Sequence, residues 1–362
     1  MSSSMRAIRN PRFTANRSPI AVFMVLLVFV SNCSASDLPR SPADITAVET
    51  LPLGLPRFPS GVSTDIARVT YGEFLFQTPL LSGDGKISCA SCHDLTHALS
   101  GATPTAIGIG GAVGRRHAPS IFNLYLSKAF MWDGRATTIE RQIPMPLEQP
   151  TEMGIDWQIA RERLSPLPAT RIVLSREGKA ALDKTLVVSS LAAYLRSLVS
   201  GGSPFDRYYY DGEESALPQD AKDGLKLFVR KGQCATCHLV TGYSAPFTDR
   251  GFHSIGIGFV HGVYKDGGRF EVTKAENDRG LFKTPSLRNV GLKTYFMHDG
   301  SLTSLREVVE YYNRGGNRDA PNLDARLHPL FMNDHEIEQI VTFLQTLSSP
   351  IQSYRPTPTS RP

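Results

Sequence analysis

Apolar residues recur at helical spacing in four stretches of the chain. The first predicted helix is residues 64–77, with the apolar residues Ile66, Val69, Phe74 and Leu75. The second is capped by Asp220 and carries Leu225, Leu227 and Phe228. The third is residues 304–312, and the fourth is residues 334–347, with Ile337, Ile340, Val341 and Leu344 on one face. Ser304 and Glu307 have the spacing of a capping box, which gives the third helix a defined start. Patterns typical of strands are sparse, so the sequence predicts a mainly α fold.

The most apolar stretch of the sequence lies near the N-terminus, at residues 20–30. Four arginines precede it, and small and polar residues follow it up to Ser36. The run is too short to span a bilayer, but a basic segment, a short apolar run and small residues are typical of a secretory signal. We predict that residues 1–36 are a cleaved export signal, that the mature chain has no transmembrane span and that the protein is periplasmic. A lipid anchor at Cys33 is the less favoured alternative, because Asn32 is a poor residue before a lipidated cysteine.

Most of the positive charge belongs to that signal. The formal net charge is +5, and removing four arginines and no acidic residue leaves about +1 on the mature chain. No basic run remains, which argues against nucleic acid as a partner.

The remaining chain is long enough for two domains of ordinary size. Residues 37–63 are rich in proline and predict an extended arm on the surface. We place an N-terminal domain at residues 64–205, a C-terminal domain at residues 206–350 and a flexible tail at residues 351–362.

Two cysteine pairs indicate the chemistry. The run Cys89-Ala90-Ser91-Cys92-His93 recurs as Cys234-Ala235-Thr236-Cys237-His238. Two thiols at this spacing can form thioether bonds to haem vinyl groups, while the next histidine binds the iron. A zinc site would need both pairs to converge on one ion, and a thioredoxin-like pair belongs in a βαβ unit, but neither explains the two histidines. The sequence predicts two covalently bound c-type haems, with His93 and His238 as iron ligands.

A longer repeat lies downstream of each cysteine pair. Residues 119–123 and 130–134 recur as residues 285–289 and 296–300, at a constant offset of 166 positions. A repeat at one register is the signature of duplication. The predicted fold is therefore two c-type cytochrome domains related by internal duplication, each with one covalent haem.

Further motifs lie at fixed distances from the cysteine pairs. They are Leu81–Gly85, Trp132–Ala136, Gln142, Glu152–Gly154 and Lys283–Val290. Over residues 64–347 this set resembles the bacterial dihaem cytochrome c peroxidase and MauG family. The resemblance implies an enzyme in which the N-terminal haem binds hydrogen peroxide and the C-terminal haem transfers electrons.

The resemblance also implies roles for three side chains. Glu152 would move a proton between the peroxide oxygens and Gln142 would orient them, because splitting peroxide needs a proton carrier above the iron. Trp132 would relay electrons between the haems, and His298 stands at the equivalent place in the other copy. From the residues alone, Gln142 and Glu152 could also be surface groups and Trp132 a core aromatic.

One departure from the family pattern concerns the first haem. Better-known peroxidases of the family have a histidine sixteen residues after the first iron-binding histidine, which blocks the peroxide site at rest. This chain has Ile109 at that position. Because isoleucine cannot bind iron, we predict an open position at the first haem, with His97 and His117 as the nearby residues that could close it.

A second departure concerns the sixth ligand of the C-terminal haem. Family peroxidases commonly use a methionine where this chain has Tyr312, and MauG uses a tyrosine there. A phenolate stabilises oxidised iron better than a thioether does. We predict Tyr312 as the ligand, with Met297 as the competing candidate and Tyr311 as a packing residue.

Calcium is a doubtful cofactor for this chain. Members of the family bind it between the domains, and the matching positions here are His117, Lys293 and Tyr295. An ammonium group would repel a calcium ion. Lys293 is therefore expected to take the place of the cation.

The resemblance leaves the electron source open. A small cytochrome or copper protein could supply electrons for the reduction of peroxide to water, or a partner protein's own side chains could be oxidised, as in MauG. Ile109 and Tyr312 favour the second mode. A different class of function is also possible: a dihaem electron carrier that catalyses no reaction. Such a protein would need two six-coordinate irons.

Overall fold

The computed structural model describes residues 45–59 and 65–356. The predicted export signal and Cys33 lie outside these residues. Twelve α-helices are present in the described part: α1 Ile66–Gln77, α2 Cys89–Cys92, α3 Ile139–Gln142, α4 Pro144–Glu148, α5 Trp157–Leu164, α6 Pro168–Glu177, α7 Lys184–Ser197, α8 Pro204–Asp211, α9 Gln219–Val229, α10 Phe270–Thr273, α11 Leu305–Asn313 and α12 Asp334–Gln345. No helix in that part is long and apolar enough to cross a membrane.

Strands are short, two or three residues each. They are β1 Ala47–Val48, β2 Leu198–Val199, β3 Phe252–His253, β4 Phe259–Val260, β5 Val263–Tyr264, β6 Phe282–Lys283 and β7 Gln352–Tyr354. β7 lies between β1, which is parallel to it, and β2, which is antiparallel. β3 pairs with β6 and β4 with β5, both antiparallel. The prediction of a mainly α fold is confirmed.

Buried apolar residues form two clusters along the chain. The first draws on residues 69–198 together with Ile351, and the second on residues 205–347. We call residues 65–203 the N-terminal half and residues 204–347 the C-terminal half. Each half contains one cysteine pair.

Each half is built on a pair of crossing helices. α1 packs against α7 and α9 packs against α12. A glycine lies at each crossing: a Cβ at Gly72 would be 2.0 Å from the carbonyl oxygen of Ser190, and a Cβ at Gly224 would be 1.9 Å from that of Gln339. Only glycine lets the two backbones approach this closely.

The two copies of the sequence repeat make corresponding contacts. Asn123 and Asn289 both have left-handed backbone conformations. The Asn123 side chain donates to the carbonyl of Ser200 at 2.9 Å and accepts from its backbone N–H at 3.0 Å. The Asn289 side chain accepts from the N–H of Ser349 at 2.8 Å. In each copy the asparagine thus fixes the segment that follows the last helix of its half.

Helix boundaries follow the predictions with one error. α1 begins at Ile66 because Asp65 caps it, and the capping box of Ser304 and Glu307 opens α11 as predicted. The prediction that Asp220 caps α9 is wrong. Pro218 is at the N-cap, and Asp220 lies in the first turn, where its negative charge still favours the helix N-terminus.

Both ends of the described chain are more tightly packed than predicted. The prediction of a flexible tail from residue 351 is wrong for β7, where Ser353 is fully buried and its hydroxyl lies 3.0 Å from that of Ser197. The arm at residues 45–59 is not wholly on the surface, since Leu55 is buried. Pairing with β1 and β2 satisfies the backbone of β7, so the segment has a fixed place.

A buried ion pair explains how the arm is held. Arg288 donates to both carboxylate oxygens of Asp206, at 2.9 and 3.0 Å. It also donates to the carbonyls of Gly54 and Ala245, at 2.9 and 3.0 Å. One guanidinium group therefore joins the arm, α8 and the loop after the second cysteine pair, and its fork of donors is satisfied inside the protein.

Candidate active site

The first cysteine pair forms the short helix α2, and His93 follows at its end. The Nδ1–H of His93 donates to the carbonyl of Leu99 at 3.1 Å, which leaves Nε2 free as an acceptor. Burial lowers the pKa of His93, so the imidazole is neutral, the form that binds iron. Cys89 and Cys92 are free thiols.

The second cysteine pair has the same arrangement. The Nδ1–H of His238 donates to the carbonyl of Phe247 at 2.9 Å, and burial lowers its pKa. Cys234 and Cys237 are also free thiols. Two unpaired thiols beside an oriented, neutral imidazole fit a covalently attached haem at each site.

Zinc is the poorer fit. Among residues 45–59 and 65–356, the one cluster of metal-ligand atoms is Cys237, Asp249 and His253, so the two cysteine pairs do not converge. Within that cluster, both ring nitrogens of His253 face carboxylates at 2.8 Å, one from Asp249 and one from Asp324. His253 is thus bound in an ion-pair network, which the sequence did not reveal.

A cavity of about 850 Å³ surrounds the first cysteine pair. This volume lies within the range of cofactor pockets, and the lining is mostly apolar. Cys89, Cys92 and His93 line it, together with Gln142 and Glu152. The structure therefore brings the predicted peroxide-site residues to the wall of the cavity that contains the first motif.

Gln142 and Glu152 reach the cavity from neighbouring segments. Gln142 is the last residue of α3, and its Nε2 donates to the sulfur of Met131 at 3.6 Å. Glu152 lies in the turn after α4, where burial raises its pKa and Arg135 opposes that shift. A half-buried carboxyl with a raised pKa is a stronger base than a free one and is suited to accepting a proton.

Ile109 lies in a loop tied to the Glu152 segment. Its N–H donates to the carbonyl of Glu152 at 2.9 Å. Its side chain is directed at Gly154, where a Cβ would lie 3.0 Å from Ile109 Cδ1, and it is not among the residues that line the cavity. The loop therefore directs the side chain of residue 109 away from the cavity, towards Gly154.

The two nearby histidines differ in their relation to the cavity. His97 does not line the cavity and lies beside Asp94, 3.3 Å away. His117 lines it, but its Nδ1–H is directed at the carbonyls of Thr103 and Pro104, each 3.1 Å away. The charges of Lys293 and His93 both contribute to lowering the pKa of His117, after the larger effect of burial.

Trp132 lies between the cavity and the C-terminal half. It is buried, and its indole N–H donates to the carbonyl of His117 at 2.8 Å. Its ring meets that of His298 edge-on, with centroids 6.5 Å apart, and His298 stacks on Phe282 at 3.6 Å. The two residues that occupy equivalent places in the repeat therefore contact each other across the interface.

Comparison with known proteins identifies the family. The profile described as di-haem cytochrome c peroxidase matches residues 66–215. Over 284 residues, 78% of each chain, the protein is 37% identical to the methylamine utilization protein MauG of Methylorubrum extorquens. The chain belongs to the dihaem cytochrome c peroxidase family. It is also 32% identical over 284 residues to a cytochrome c551 peroxidase of Nitrosomonas europaea, covering 76% of this chain and 78% of that one.

Solved structures agree with this membership. A MauG-like protein associated with microbial copper homeostasis superposes with a TM-score of 0.72 and 26% identity, over 86% of this chain and 95% of that one. Membership implies haem cofactors and a peroxidase-type oxidoreductase, as the sequence predicted.

Two tyrosines of α11 have different surroundings in this member of the family. Tyr311 is buried and its hydroxyl donates to the carbonyl of Ile255 at 2.7 Å. Burial raises the pKa of Tyr312, and the charges of Cys234 and Cys237 add to the shift. Tyr312 therefore lies near the second cysteine pair, whereas the Tyr311 hydroxyl is already bonded elsewhere.

The positions where family members bind calcium form a cluster here. The rings of His117 and Tyr295 are 6.3 Å apart. Burial lowers the pKa of Lys293 to about 8, and the lysine in turn lowers that of His117. The residues present include a basic side chain where a divalent cation would need an oxygen donor.

Proposed function

We propose that the protein is a periplasmic dihaem enzyme that consumes hydrogen peroxide at its N-terminal haem. Cys89 and Cys92 would hold that haem and His93 its iron, with Cys234, Cys237 and His238 doing the same for the second. The haems supply the redox chemistry when bound, and the residues of the chain bind, orient and move protons around them.

Glu152 and Gln142 would act on peroxide. The Glu152 carboxylate would take a proton from one peroxide oxygen and deliver it to the other, which would leave as water when the O–O bond breaks; the bound haems would supply the two electrons. The raised pKa of Glu152 supports this role, because a stronger base takes the proton more readily. The Gln142 amide, on the same cavity wall, would orient the two oxygens.

One observation carries the proposal: the side chain of Ile109 is turned to Gly154, while Glu152 and Gln142 lie on the wall of the cavity that contains the first cysteine pair. A dihaem electron carrier would need a sixth ligand there. Peroxide, by contrast, needs an open position with a proton carrier beside it.

Trp132 would couple the two haems. Its contact with His298 supports a path between the halves of the protein. Tyr312 would bind the second iron as a phenolate and hold it in the oxidised state, because anionic oxygen is a hard donor. Calcium is not part of the proposed enzyme, since Lys293 occupies the region where it would bind.

Two electron sources remain, and the departures from the family pattern favour one. In the first, a small cytochrome c or copper protein supplies two electrons and peroxide becomes water. In the second, the side chains of a partner protein lose the electrons. Ile109 and Tyr312 support the second mode, and MauG of Methylorubrum extorquens is 37% identical to this chain.

The experiment is a stoichiometric peroxide titration of purified protein after its haem content has been measured. We expect two haems per chain and consumption of one equivalent of peroxide by the ferric protein without any donor. A long-lived oxidised species would then direct the search to a protein substrate. Protein with two haems that ignores peroxide until it has been partly reduced would contradict the proposed open site.

A further inference from the structure

Three cationic side chains of the C-terminal half line the cavity of the N-terminal half. They are Arg250, Lys283 and Lys293. Lys283 lies in β6, and its backbone N–H donates to the carbonyl of Trp132 at 2.8 Å. One wall of the first cavity is therefore built by the other half of the protein and carries positive charge.

These cations lack anionic partners within residues 45–59 and 65–356. Lys283 Nζ donates to the carbonyl of Ala129 at 3.0 Å. Desolvation alone perturbs the pKa of Lys293, with no carboxylate of the described residues acting on it. Arg250 Nε is buried without a hydrogen-bond partner in that part of the chain. Desolvation is strong enough to lower the pKa of both lysines to about 8.

The acids of the cavity do not supply the missing charge. Asp133 is bound by Arg116 at 2.6 Å and by Arg135 at 2.7 Å. Glu271 lies 3.6 Å from Arg116. Glu152 is influenced by Arg135 rather than by a lysine. Asp133 and Glu271 are thus paired with arginines, and Glu152 forms no ion pair with the cations of the C-terminal half among the described residues.

His117 adds a fourth polar group at this wall. It is 2% exposed, and its Nε2 has no hydrogen-bond partner in the described part of the chain, although the residue lines the cavity. A buried polar atom without a partner costs free energy, and so does an unpaired buried cation. An anion in the cavity would offset both costs.

The proposed cofactor carries such anions, because each haem has two propionate carboxylates. We propose that Lys283, Lys293 and Arg250 bind the propionates of the N-terminal haem. The C-terminal half thereby completes a cofactor site that the first cysteine pair begins. The inference rests on the proposed haem at that pair.

The test is a spectroelectrochemical titration of the holoprotein and of its Lys283→Met and Lys293→Met variants. Removing a cation near the propionates favours ferric iron. At a fixed applied potential, the ratio of ferrous to ferric N-terminal haem should fall about tenfold. This estimate is the Coulomb energy of a unit charge roughly 10 Å from the iron, at an effective dielectric constant of about 20. Lys265→Met, which removes an exposed lysine of the same half, is the control and should leave the ratio unchanged.

Ratios equal to that of the control in both variants would overturn the inference. If the methionine variants do not retain haem, the variants Lys283→Arg and Lys293→Arg test the inference instead. In these variants the propionate bending bands of the resonance Raman spectrum should shift, because a guanidinium group forms hydrogen bonds to a carboxylate in a different geometry from an ammonium group. Unshifted bands would also overturn it. Fewer than two haems in the unaltered protein would instead count against the proposed function.

Discussion

The two cysteine-pair sites are alike around the histidine that follows each pair and different in the other residues that surround them. His93 and His238 are oriented by backbone carbonyls in the same way and are both half-buried. Among the other residues, the first site has the acid Glu152 on the cavity wall, whereas Tyr312 lies near the second pair. A duplicated scaffold can thus hold two similar cofactors, while a few residues decide which one is open to substrate.

The residues that differ between the copies also meet at the interface. Trp132 and His298 stand at equivalent positions of the repeat and contact each other. Gly134 and Gly300, also equivalent, lie where a Cβ would clash with the opposite half, at 2.3 Å from Phe252 and 2.1 Å from the Pro104 carbonyl. Duplication therefore placed the same turn on both sides of the contact.

The largest expected effect comes from removing the acid of the first site. Glu152→Gln keeps the shape but not the proton transfer, so the rate of reaction with peroxide should fall about 10²- to 10⁴-fold. Stopped-flow absorbance measures that rate. Glu148→Gln, which alters a more exposed acid four residues earlier, should change it little.

The pH dependence of that rate follows from the same group. Glu152 must be deprotonated to accept a proton, and burial raises its pKa. The rate should therefore fall as the pH decreases through a value above the usual range for glutamate, and this limb should vanish in Glu152→Gln. A limb that survives the substitution would assign the titration to another group.

Making the first site resemble that of the better-known peroxidases should close it. In Ile109→His the loop carries a side chain that can bind iron once it turns from Gly154 into the cavity. Reaction of the ferric protein with peroxide should then slow about tenfold for each 1.4 kcal/mol gained by ligation. Ile109→Val is the matched control. Equal rates in both variants would mean that the loop does not face the iron.

The second site should respond in its potential rather than in its reactivity. Tyr312→Met replaces an anionic donor by a thioether and should raise the midpoint potential of the C-terminal haem. The expected rise is on the order of a tenth of the range of roughly 0.8 V over which axial ligands shift haem potentials. Tyr311→Phe should leave it unchanged, because the Tyr311 hydroxyl is bonded to Ile255. A shift in Tyr311→Phe alone would exchange the roles of the two tyrosines.

The smallest effect concerns the shared scaffold. Asn123→Ala and Asn289→Ala each leave buried backbone groups without partners and should lower the free energy of unfolding by about 1–3 kcal/mol. Chemical denaturation of the holoprotein measures both. Similar losses would support equivalent roles in the two halves, and a loss confined to one of them would show that the copies have diverged here too.

The sequence predicted those parts of the protein that local chemistry determines. Apolar spacing and caps located α1, α11 and α12, and the distances between motifs predicted which residues line the first cavity. It could not predict the place of β7, because a short strand with few apolar residues is fixed by partners distant in sequence. The same reason applies to Lys283 and Lys293, which only the meeting of the two halves brings to the first cavity.

The open position at the first site is tested most directly by the electron paramagnetic resonance spectrum of the resting ferric holoprotein. We predict one high-spin and one low-spin haem in equal amounts, since Ile109 cannot bind the first iron and Tyr312 can bind the second. Two low-spin haems, with no high-spin signal, would contradict the account and place this protein with the peroxidases that must be reduced before they react.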